Sequence, residues 1–172
     1  DISTKFYYFC RYTKHRPSIA MNILFVYFDK IIQNDNLYVK SLCEEIRRQN
    51  GSVECSIDAF WNSPRKYDIV HIQFPEVIFK WRQPSDNGLK ALRQRIARLK
   101  SMGTKIVYTR HDAIPHYCTD KNKLELYRIV ETQSNAIIHL GEYSRQEFAH
   151  IYPENTARHF VIPHHIYDSC GY

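Results

Sequence analysis

The side chains that could do chemistry in this chain sit just behind short apolar runs. Glu76 follows "YDIVHIQFP", His111 and Asp112 follow "TKIVYTR", Tyr143 follows "NAIIHLGE", and His164 and His165 follow "HFVIP". His116 stands a little further on, behind Pro115. Imidazoles trade protons near neutral pH, and carboxylates orient or deprotonate hydroxyl groups. Taken singly, each has an ordinary explanation. Most loop histidines only bond a backbone carbonyl, and a glutamate in a turn needs no role. His71 and His139 lie inside apolar runs and read as satisfied core histidines, whereas His150 and His159 read as surface residues.

The elements between these residues alternate. "NILFVYF" (22–28) is almost wholly apolar, as a strand buried on both faces is. A helix is expected over 36–49 from the spacing of Tyr38, Leu42 and Ile46, with Gly51 as its stop. "VECSIDAF" (53–60) alternates like a strand nearer an edge, and "YDIVHIQF" (67–74) reads as a second central strand. Residues 88–102 place Leu89, Leu92, Ile96 and Leu99 on one helical face, with Arg93, Arg95, Arg98 and Lys100 elsewhere. Then come the strand "TKIVYT", a helix over 121–133, the strand "NAIIHL", a helix begun by a capping box at Ser144–Glu147, and a last strand at 159–163.

Strands separated by helices imply one doubly wound α/β domain, a mostly parallel sheet flanked by helices, over residues 21–172. Residues 1–20 form an extension of uncertain structure. In such a sheet ligands bind outside the carboxyl ends of the strands. Asp29, Glu76, His111 with Asp112, Tyr143, and His164 all fall there, so five separate segments converge on one edge. Arg110, by alternation, points to the other side of its strand and is expected to pair or pack elsewhere.

Composition narrows the classes. Hydrophobic residues are 44% of 172, with only 5 glycines, which indicates a globular chain. No apolar run reaches the roughly 20 residues of a membrane span. The five scattered cysteines contain no C-x-x-C and fit reduced thiols in a cytoplasmic protein. No H-E-x-x-H is present and the histidine spacing matches no zinc motif, so no metal is expected. Neither G-x-G-x-x-G, a P-loop nor a G-x-S-x-G elbow occurs. The net charge of +6 is concentrated between Lys80 and Arg110, where nine Lys or Arg residues meet one acid, Asp86. Such a face suits an anionic membrane surface or a phosphorylated ligand, or is simply solvated. Without aromatic interleaving, nucleic acid is not an expected partner.

Four stretches resemble the N-terminal domain of GT-B-fold glycosyltransferases, in particular the large retaining family four. They are "MNILFVYF", "YDIVHIQFPE", "GTKIVYTRHDAIPH" and "RHFVIPHHIYDSCGY", which lie between Met21 and Tyr172. The resemblance implies a Rossmann-like acceptor-side half of a two-domain enzyme that moves a sugar from a nucleotide sugar to a glycan or lipid-linked acceptor. It implies that His111 is catalytic, contacting the donor sugar. It further implies that Glu76, Asp112, His116, Tyr143 and His164 bind substrate. No resident cofactor is implied. The nucleotide-sugar donor would be held mainly by a second, C-terminal domain that this chain does not include, leaving the chain inactive alone. Three positions depart from the pattern: the glycine-rich first loop is Asp29–Asn34, Asp112 replaces asparagine, and His165 replaces glycine. The alternative reading is a stand-alone α/β ligand-binding module without catalysis.

Overall fold

A computed structural model describes residues 21–28, 36–48, 51–113 and 120–163. The extension 1–20, the first loop, His116, His164 and His165 lie outside the described residues. Six strands form one sheet: β1 (Asn22–Val26), β2 (Ser52–Cys55), β3 (Ile69–Ile72), β4 (Lys105–Arg110), β5 (Ala136–His139) and β6 (Arg158–Val161). Their order is β2-β1-β3-β4-β5-β6, and every pairing is parallel. The helices are α1 (Leu37–Arg48), α2 (Ile57–Asn62), α3 (Asp86–Ser101), α4 (Lys121–Gln133) and α5 (Glu142–Ile151), with a 3₁₀ turn at Pro75–Phe79. The expected doubly wound, Rossmann-like α/β fold is the one observed.

Alternation along each strand divides the core in two. Ile23, Phe25, Ile69 and Val107 face α1, whose Val39, Leu42, Cys43 and Ile46 pack on them. Leu24, Val26, Val70, Ile72, Ile106 and Tyr108 face the opposite way, onto Leu92, Ile96 and Leu99 of α3, Leu126 and Ile129 of α4, and Phe148 of α5. Each fully buried aliphatic side chain contributes about 1.5–3 kcal/mol, so these two layers are what hold the strand ends in place.

Local chemistry sets the helix ends. Asn36 Oδ1 accepts from the Val39 amide at 3.1 Å, Ser85 Oγ from Gly88 at 3.1 Å, and Asp120 Oδ1 from Asn122 at 2.8 Å. α3 gives way to β4 through Gly103, whose φ of +86° is the left-handed conformation that glycine adopts without strain.

Two expectations require correction. The strand expected over 53–60 ends at Cys55: Ser56 Oγ accepts from the Ala59 amide at 3.1 Å and starts α2 instead. A capping serine outweighed an alternating pattern too short to define a strand. β2 does lie at the sheet edge. Ser144 does not cap α5, which begins at Glu142 behind Gly141 with no side-chain cap. Its hydroxyl bonds Arg110 and His139 instead.

Candidate functional site

The chain leaves β1 for β2 on one side, then returns to place β3 on the other. The crevice between the carboxyl ends of β1 and β3 is therefore the topological switch point, where open α/β sheets take ligands. His111 follows β4, one strand further along, and leans toward this crevice. Its ring stacks on Phe74 at 4.6 Å with an interplanar angle of 22°, and Tyr38 of α1 meets it edge-on at 5.4 Å. Tyr27, at the end of β1, lies 6.4 Å from Phe74.

Behind His111 runs a buried polar chain. His111 Nε2 lies 2.9 Å from Gln73 Oε1, Gln73 Nε2 lies 3.1 Å from His71 Nε2, and that same nitrogen lies 2.8 Å from Thr109 Oγ1. Burial, aided by the neighbouring His111, pushes the His71 pKa down to about 3, so His71 is neutral near pH 7. Its Nε2 accepts from the Gln73 amide, which turns Gln73 Oε1 outward as an acceptor. His111 must then donate from Nε2. The core thus selects which nitrogen of a strand-end imidazole carries the proton.

Glu76 lies in the 3₁₀ turn, buried, with its Oε1 accepting from the Tyr127 hydroxyl at 2.7 Å. Burial and the Glu76 hydrogen bond raise the Tyr127 pKa, and the charge of half-buried Asp112 adds to this, so both carboxylates bear on one phenol. The structure therefore gathers Glu76, His111 and Asp112 around the ends of β3 and β4. Tyr143 stands at the first turn of α5, past β5, and is 78% exposed. His116 and His164 lie outside the described residues.

Arg110 points to the opposite face, as alternation requires. It is buried, with Nε 3.0 Å from Glu131, Nη1 2.8 Å from Glu147 and Nη1 3.1 Å from Ser144 Oγ. Burial raises the Glu131 carboxyl above its ordinary range, opposed by hydrogen bonds from Tyr152 and Arg110. Beside it, His139 bonds Ser144 through Nδ1 at 3.0 Å and His159 through Nε2 at 2.9 Å. Burial and the second imidazole push His139 down to about 4. His139 is thus a satisfied core histidine, as expected. His159 is not the surface residue expected; it is half-buried and stacks on His139 at 5.2 Å.

Part of the basic stretch is engaged within the chain. Arg93 pairs with Glu125, and Lys100 Nζ donates to the Gln133 carbonyl at 2.6 Å. Arg95 is buried against the carbonyls of Phe60 and Ser63, at the end of α2. Of the four cations assigned to the outer face of α3, Arg98 and Lys100 are exposed, and Lys100 is held by a backbone carbonyl rather than by an acid. Among those residues, no helix is long and apolar enough to cross a membrane, and no group of three His, Cys, Asp or Glu is arranged to hold a metal.

Single-residue reading missed Gln73, Thr109 and Phe74, and treated His71 only as core. A signal for them exists. Period-two alternation puts 71 and 73 on the same face of β3 as 107, 109 and 111 on β4, and His71 registers with Val107.

The fold is a parallel, Rossmann-like α/β domain, consistent with a ligand-binding domain and with a GT-B-like N-terminal half. No family model matches the chain, and no curated protein matches its sequence.

Proposed function

We propose that this chain is the acceptor-side half of a GT-B-type glycosyltransferase, passing a sugar from a nucleotide sugar to a glycan or lipid-linked acceptor. The observation that carries this reading is His111. It sits at the carboxyl end of β4 between Phe74 and Tyr38, with its protonated nitrogen chosen by Gln73. Sugar transfer needs pre-set donors and acceptors around a centre that develops charge, in a site from which water is excluded. An imidazole whose tautomer and plane are both held meets that need. His111 then bonds the donor sugar, Asp112 orients or deprotonates the acceptor hydroxyl, and Glu76 holds its loop through Tyr127. His116, Tyr143 and His164 complete the substrate surface. The nucleotide is held mainly by a second domain.

The test is sugar transfer by the full-length gene product, assayed with a panel of nucleotide sugars. His111→Ala should lower kcat by about 10²-fold, the usual worth of a positioned proton-transfer or donor group, with little change in acceptor KM. A variant that loses acceptor affinity alone would assign the chain to a binding module. A wild-type protein that transfers from none of the donors would remove the transferase reading.

A further inference from the structure

We propose that the indole of Trp81 is a stacking platform for a pyranose ring of the acceptor, one sugar further out than the residue presented to His111. The proposal rests on the sugar-binding reading above and adds a residue to it.

Trp81 follows the 3₁₀ turn that leaves the switch-point end of β3, and it is 54% exposed. An indole is the largest flat apolar surface a side chain offers, and about half of this one is open to a ligand. The backbone beneath it is strained as well. Lys80 and Trp81 have φ of 54° and 62°, both in the left-handed region that bulky side chains avoid. Glycine would make this turn without strain. Here two consecutive residues with side chains make it, the second a tryptophan.

The turn is also firmly anchored. Pro75, Glu76, Val77 and Ile78 are buried, Glu76 is bonded to Tyr127, and the amides of Lys80 and Trp81 donate to Val77 and Glu76 carbonyls at 2.9 and 3.0 Å. The platform is therefore presented rigidly. Its ring lies 6.3 Å from Phe74 at 37°, and Phe74 stacks on His111 at 22°. Ring contacts thus run from the strand-end imidazole through Phe74 to Trp81.

A pyranose is the occupant this surface fits. Its axial C–H groups form a flat apolar patch that packs on an aromatic face, while its hydroxyls stay at the rim. An acceptor glycan whose reacting hydroxyl faces His111 would lay its next ring along this line.

The experiment uses the fluorescence of the two tryptophans, Trp61 and Trp81. Trp61 is half-buried and its indole donates to the Ile78 carbonyl at 3.1 Å, so Trp61→Phe leaves Trp81 as the sole reporter. That variant is titrated with methyl glucoside, methyl mannoside, methyl galactoside, the corresponding β-linked disaccharides, and uridine. Saturation-transfer NMR follows the same sugars on wild type and Trp81→Ala. The expected result is a saturable shift of Trp81 emission with at least one sugar and not with uridine, and sugar binding about tenfold weaker in Trp81→Ala, the scale of one aromatic stack. Trp81→Phe should recover part of the loss. Sugar binding unchanged in Trp81→Ala overturns the platform and leaves the sugar-binding reading standing. Absence of binding by every sugar overturns both. A response to uridine alone, or an emission shift with protein concentration and no ligand, places a base or a second copy there and overturns the proposal.

Discussion

The Oε1 of Gln73 accepts from His111 at 2.9 Å because its amide nitrogen is already committed to His71, 3.1 Å away in the core. One side chain thereby links a buried histidine to an imidazole at the ligand edge. His71 stays neutral because it is buried, which leaves a ring nitrogen free to accept from the Gln73 amide, and Gln73 in turn offers its oxygen to His111.

Breaking that link should act on turnover before binding. Gln73→Leu removes the Gln73 oxygen from His111 and the Gln73 amide from His71. Turnover of the full-length gene product should fall about tenfold, with acceptor KM nearly unchanged. The ¹⁵N shifts of the His111 ring should move toward a mixture of tautomers. A purely structural role for Gln73 would lower stability and leave those shifts in place.

Acid should destabilise the fold well above the carboxylate range. His71 and His139 have folded pKa values of about 3 and about 4, against about 6.5 when unfolded. Between these values the unfolded chain binds protons that the native state refuses. Stability therefore falls as pH drops from about 6.5 toward 4, by up to about 1.4 kcal/mol per pH unit for each histidine. Thermal melts across this range should show the slope, and His71→Gln should reduce it. A flat profile would mean the buried rings accept protons in place.

Removing Arg110 should be costly. Arg110→Met leaves Glu131 buried with its charge uncompensated, for a loss of about 3 kcal/mol or more, visible as a lower urea midpoint with an unchanged m-value. Arg110→Met with Glu131→Leu should recover most of it, because a buried ion pair is worth little relative to a well-packed apolar pair.

The thiols of Cys43 and Cys55 should be slow to react in the native protein. Both are buried, their sulfurs lie 3.6 Å apart, and the Cys55 hydrogen bond and burial push the Cys43 pKa upward, away from the nucleophilic thiolate. Alkylation followed by peptide mapping should label these two only after denaturant is added. Fast native labelling would show that α1 opens from the sheet.

By itself the sequence determined the alternation of strands and helices, the parallel sheet that follows from it, and the edge to which Glu76, His111 and Asp112 belong. These are consequences of hydrophobic period and chain direction, which are local properties. It determined also that Arg110 faces away from His111, since adjacent residues of a strand must. Tertiary structure alone decided the rest. Whether "VECSIDAF" continues as a strand depended on the competition between an edge pairing and the Ser56 cap. Whether Ser144 caps a helix or binds Arg110 depended on what α5 packs against. The partnership of Gln73 with His111, of Glu76 with Tyr127, and of Phe74 with Trp81 joins residues distant in sequence or turned by a strained backbone. Hydrogen bonds and ring contacts of that kind require strand register and helix docking before they exist, so no window of sequence contains them.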